Sequence, residues 1–70
     1  EGRAGPTFDD VAARIAAAER ELEDAARRLS DPELYRDAVR VREERARYEV
    51  VQRRLETLYA LLDDVADEQA

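Results

Sequence analysis

Arg40, Arg47 and Arg54 recur at intervals of seven, and Arg36, Arg42 and Arg45 fall among them, concentrating guanidinium groups on one stretch of a 70-residue chain. All 12 basic residues are arginine, the side chain whose planar fork grips phosphate or carboxylate through two parallel hydrogen bonds. Anion recognition is the chemistry such a cluster offers. Catalysis has less to work with. Asp9/Asp10, Glu43/Glu44 and Asp63/Asp64 are adjacent carboxylates, but acid–base work needs a pair held in a cleft with protonation ranges pushed apart. Thr7, Ser30 and Thr57 have no histidine to activate them, because the chain contains none. Cysteine is also absent, which excludes disulfides and thiolate metal sites. No glycine-rich phosphate loop of the G-x-x-x-x-G-K-S/T or G-x-G-x-x-G form occurs. These residues read as non-catalytic, with no cofactor or metal of their own.

The elements that must position the arginines follow from apolar spacing. Phe8, Val11, Ile15, Ala18, Leu22, Ala25 and Leu29 alternate in steps of three and four, and Leu34, Val41, Tyr48, Val51, Leu55, Leu58, Leu62 and Val65 form a second ladder. Each ladder is the narrow seam of a coiled-coil helix. Ser30-Asp31-Pro32 separates them, so the two seams cover each other only if the chain doubles back. The expected fold is all-α: an antiparallel two-helix coiled-coil hairpin with a short helical turn at the tip. Seventy residues allow one small domain with a limited core. Residues 1–6, with both glycines and a proline, read as a linker, leaving 7–70 for the hairpin. No apolar run reaches the length of a membrane span and no secretory signal pattern is present, so the expected setting is cytoplasmic, with no membrane partner. The isolated chain is expected to be a monomer or a weak homo-oligomer.

Helix 1 is expected over about 7–29. Thr7-Phe8-Asp9-Asp10 has the cap-x-x-acid form, Asp9 and Asp10 suit the positive end of the helix dipole, and Arg27 and Arg28 suit its negative end. Asp31 precedes proline and is disfavoured in helix, which makes it an N-cap with Pro32 in the first helical position. Register follows from polarity. One alignment layers Phe8 on Val65, Val11 on Leu62, Ile15 on Leu58, Ala18 on Leu55, Leu22 on Val51 and Ala25 on Tyr48, all apolar. Slipping by one heptad sets Leu22 against Glu44 and Leu29 against Asp37, burying carboxylates without partners. The first alignment leaves residues 30–38 as the tip, too many for a tight bend. Pro32 to Arg36 is therefore expected to form its own helical turn, with Leu34 and Tyr35 folded over Leu29 and helix 2 running over about 38–67.

Charge is distributed unevenly over this hairpin. Residues 1–26 carry −4, residues 27–54 carry +3 and residues 55–70 carry −5, together the chain's −6. Overall acidity argues against generic nucleic-acid binding, yet a hairpin brings its acidic ends together and leaves the bend basic. In the chosen register Glu21 meets Arg54, while Arg28 meets Arg47, a like-charge pair that a shared anion such as a nucleic-acid phosphate would relieve. The candidate nucleic-acid-binding residues are Arg28, Arg36, Arg40, Arg42, Arg45 and Arg47, with Tyr35 placed to stack from the tip. Against this stand the (i, i+4) pairs Asp24–Arg28, Glu43–Arg47 and Glu49–Arg53, which an ordinary solvated helix surface also explains. Both readings stay open on the residues alone.

Leu29-Ser30-Asp31-Pro32-Glu33-Leu34-Tyr35-Arg36-Asp37 and Leu55-Glu56-Thr57-Leu58-Tyr59-Ala60-Leu61-Leu62 resemble the C-terminal coiled-coil domain of ABC-F ATPases of the Uup type. In that family an acidic first helix leads into a Ser/Ala-Asp-Pro-x-aromatic turn, then a long helix ending in Leu-Glu-x-Leu-Tyr-x-x-Trp. Leu62 stands at the tryptophan position. The likeness covers about residues 19–65. It implies a cytoplasmic parent protein with two ATP-binding cassettes that use ATP and magnesium, acting on the ribosome and in some members conferring antibiotic resistance. The hairpin's implied partners are those ATPase domains and a nucleic acid, either DNA or ribosomal RNA. The turn and Val50-Val51 also resemble the N-terminal helical domain of class I peptide-chain release factors, and a plain oligomerisation coiled coil is a third reading.

Overall fold

Thr7 starts the first helix by a reciprocal exchange. Its hydroxyl accepts the Asp10 amide hydrogen at 3.1 Å and the Asp10 carboxylate accepts the Thr7 amide hydrogen at 3.2 Å, satisfying two donors that a helix start leaves orphaned. In the computed structural model, which describes residues 5–69, this cap opens α1, Phe8–Leu29. Ser30 ends it: the Ser30 amide donates to the Ala26 and Arg27 carbonyls at 3.1 Å and its hydroxyl donates to the Ala26 carbonyl at 3.0 Å. The Asp31 carboxylate then accepts the Glu33 amide hydrogen at 3.0 Å and Pro32 begins a 3-10 turn, Pro32–Arg36. Asp37 starts the next helix, accepting the Val39 and Arg40 amide hydrogens at 3.1 and 3.2 Å. That helix, α2, runs over Ala38–Gln69.

α1 and α2 lie side by side as an antiparallel hairpin, a rod of 53 × 18 × 15 Å. Val11, Ile15 and Ala18 of α1 pack with Val51, Leu55, Leu58 and Val65 of α2, and Leu22, Leu61 and Leu62 close the edges of this core. Small Ala18 (2% exposed) among large leucines lets the helices approach and interdigitate. Ala25 and Leu34 are buried nearer the bend. Phe8 departs from the expected seam. It is 38% exposed, at the first position of α1, with no preceding helical turn to cover it.

Polar contacts between the helices agree with the register of the apolar seam. Arg54 reaches Glu21 at 3.5 Å, as expected, and the Tyr59 hydroxyl donates to Glu19 at 2.7 Å. A one-heptad slip would separate both pairs. The tip likewise follows expectation in form: Leu34 is buried and the Tyr35 hydroxyl donates to the Leu29 carbonyl at 2.6 Å, covering the end of α1. α2 extends two residues past the expected stop at Asp67, since no helix-breaking residue intervenes. Residues 1–4, most of the segment read as a linker, lie outside the described residues, as does residue 70.

Candidate nucleic-acid interface at the bend

The bend combines the end of α1, the 3-10 turn and the first turns of α2, so candidates scattered from Arg28 to Arg47 are gathered at one end of the rod. They do not all stand in the same state. Arg28 is engaged: its Nε donates to a Glu44 carboxylate oxygen at 2.8 Å, with the two side chains 39% and 12% exposed. This corrects the expected Arg28–Arg47 repulsion. Val41, Glu44, Tyr48 and Val51 step by three, four and three, so Glu44 holds a seam position and meets Arg28 there. The hydrogen bond from Arg28 holds the Glu44 carboxyl below its usual range; burial opposes the shift, and the charges of Arg28, Arg47 and Arg40 add to it. The same hydrogen bond raises Arg28. Arg28 therefore positions the bend and is not a free cation.

Arg36 makes only a loose contact with Glu33, 3.6 Å apart with the side chains 80% and 70% exposed. Arg40, Arg42, Arg45 and Arg47 are exposed, and among the described residues none of them forms an ion pair. The expected helix pairs that would have neutralised this surface are also missing. Asp24 bonds Arg27 instead of Arg28, and neither Glu43–Arg47 nor Glu49–Arg53 closes to an ion pair. The first turn of α2 contains no acid, leaving Arg40 at the positive end of the helix dipole, where a cation is unfavourable. Two features thus coincide at the bend, unpaired guanidiniums and a net positive segment, while the helix N-terminus there is already capped by the Asp37 carboxylate.

Two concave spaces lie along the described residues. A recess of about 110 Å³ at the bend is lined by Arg28, Asp31, Glu33, Leu34 and Arg40, two acids offsetting two bases. A groove of about 360 Å³ midway along the rod involves Arg14, Ala17, Ala18, Glu21, Arg54 and Leu58, and its charged residues Glu21 and Arg54 already pair with each other. Among the described residues no group of acids is placed to hold a metal ion, and no helix is long and apolar enough to cross a membrane. At helical spacing Arg40 and Arg47 lie on one flank of α2 and Arg42 and Arg45 on the other. Asp37 and Glu44 are the residues that sequence reasoning missed. The first was signalled by an acid directly before the arginine-rich helix, the second by heptad spacing alone.

Fold and surface together define a helical hairpin with a basic bend. Over residues 7–62 it matches the family model described as the ABC transporter C-terminal domain, and the chain belongs to that family. No curated protein and no solved structure matches it. The chain is accordingly a C-terminal domain of an ABC-type ATPase, and nucleotide binding belongs to the rest of such a protein. This assignment displaces the release-factor reading.

Proposed function

We propose that this hairpin serves a cytoplasmic ABC-F ATPase of the Uup type by applying its basic bend to the phosphates of DNA or ribosomal RNA. The observation that carries the reading is the unpaired state of Arg40, Arg42, Arg45 and Arg47 on the net positive segment. An ordinary solvated helix surface interleaves its charges into (i, i+4) pairs; here the expected pairs are not made. A guanidinium cluster at the end of a 53 Å rod is also well placed to reach a surface that the bulk of a larger protein cannot.

Phosphate contact releases condensed counterions, so binding must weaken steeply with salt. Titration of a labelled oligonucleotide across a salt series tests this directly. The reading expects measurable binding at low salt, and Arg40→Glu with Arg47→Glu lowers the slope of log K against log salt by about one per arginine removed. Absence of binding at low salt, or a slope indifferent to the double variant, refutes it.

A further inference from the structure

Two rows of arginine frame one face of α2. At about 100° per residue, Arg40 and Arg47 stand roughly 80–100° to one side of Val39, and Arg42 and Arg45 roughly 60–120° to the other. Ala46 and Val50 fall within about 20° of Val39 and continue its line along the helix. This face is turned away from Val51, Leu55 and Leu58, which pack on α1. It is open: Val39 is 58% and Val50 48% exposed, and Ala46 is exposed as well. Residues 38–54 hold six arginines against three acids, and one of those acids, Glu44, is already bonded to Arg28. A low, uncharged ridge between two basic rows suits a channel with anions on both walls. A flat anionic surface or a single strand would meet only one row at a time.

B-form DNA offers such a channel. Its major groove is about 12 Å wide between two phosphate walls and admits an α-helix, whose diameter with side chains is about 10–12 Å. Small apolar side chains meet the thymine methyl groups on the groove floor, and a carboxylate such as Glu43, which lies near this face, accepts a hydrogen bond from a cytosine amino group. The major groove of an RNA duplex is too deep and narrow for side chains to read. Packed on the other side of α2, α1 stays outside the groove. Resting on the phosphate-contact reading above, we propose that the outward face of α2 from Val39 to Val50 seats in the major groove of B-form DNA, with Arg40 and Arg47 on one phosphate wall and Arg42 and Arg45 on the other.

The test titrates the 70-residue chain against a labelled DNA duplex, an RNA duplex of the same sequence and the single DNA strand, each across a salt series. The DNA duplex should bind several-fold more tightly than the other two. On that duplex, Arg40→Glu with Arg47→Glu and Arg42→Glu with Arg45→Glu should each lower the slope of log K against log salt by about two, because each pair holds one wall. Circular dichroism confirms that both variants stay helical. A second readout needs no variant: dimethyl sulfate methylates guanine N7, which faces the major groove, and saturating parent chain should lower that methylation several-fold. Unchanged methylation at saturation overturns the proposal. So does an RNA duplex or single strand bound as tightly as the DNA duplex, or a slope that responds to one arginine pair alone. In those cases salt-sensitive binding that still weakens in Arg40→Glu with Arg47→Glu leaves the phosphate reading standing. If that variant changes nothing, or no nucleic acid binds at low salt, both fall.

Discussion

Glu44 occupies a seam position that an apolar residue would ordinarily fill, and its side chain is only 12% exposed. A carboxylate so placed persists only with a partner, which Arg28 supplies at 2.8 Å. The two halves of the pair are not equivalent. Arg28→Ala strands a desolvated charge in the seam, whereas Glu44→Leu restores an apolar layer and leaves Arg28, 39% exposed, able to turn to water. Thermal unfolding at neutral pH is expected to show a midpoint lowered by several degrees for Arg28→Ala and unchanged or raised for Glu44→Leu; equal losses in the two would contradict the pair's asymmetry. Acid makes the same point. Because the hydrogen bond from Arg28 depresses the Glu44 carboxyl, its contribution is present above the usual carboxylate range and disappears as pH falls through the lowered value. The parent chain should therefore lose more of its midpoint on acidification than Glu44→Leu does. Spacing alone announced this residue. A ladder assembled from apolar letters passes over Glu44, and rejecting buried acids as a class overlooks one that arrives with its own arginine. The unpaired arginines were legible as a cluster, but which of them would be neutralised depended on this one cross-helix contact.

Capping chemistry and seam burial divide the work of specifying the elements. Thr7→Ala removes the hydroxyl that accepts the Asp10 amide hydrogen and should cost about 1 kcal/mol, as should Asp37→Ala, which frees the Val39 and Arg40 amides. Leu55→Ala opens a cavity at a 5% exposed position and should cost about 2–5 kcal/mol. Urea denaturation of the three variants should rank Leu55→Ala well below the two cap variants; a cap variant matching it would mean that helix initiation, not the seam, holds the hairpin together. The helix start at Thr7 and the break at Ser30-Asp31-Pro32 were readable because each rests on local side-chain chemistry. The 3-10 turn was readable for a different reason: the register left more chain at the bend than a tight turn consumes. Asp37 escaped notice because Asp37-Ala38-Val39-Arg40 lacks the acid at the third helical position that completes a capping box. The end of α2 was not legible, since no proline or glycine marks a stop after Leu62.

The whole rod is electrically bipolar, and its two ends should answer added salt in opposite ways. Residues 5–26 and 55–69 carry −4 and −5, and the antiparallel fold brings these segments alongside each other, so folding works against their mutual repulsion. Exposed charges at such spacings are screened once the Debye length shrinks to about 10 Å or less, so salt stabilises that end of the hairpin. Under the proposed function salt acts at the bend on the complex instead, restoring the counterions that phosphate contact would displace. Raising monovalent salt from about 50 to about 200 mM should therefore raise the thermal midpoint of the free chain while weakening its binding to an oligonucleotide. Replacing Asp63 and Asp64 by Asn separates the two effects. That variant lowers the repulsion at the acidic end, so its midpoint should start higher and respond less to salt, while the salt slope of binding at the distant bend stays that of the parent chain. A midpoint that falls with salt in the parent would mean that attractive pairs such as Glu21–Arg54 outweigh the repulsion between the acidic segments. A binding slope that changes in the Asp63/Asp64 variant would place the nucleic acid along the rod rather than at its tip.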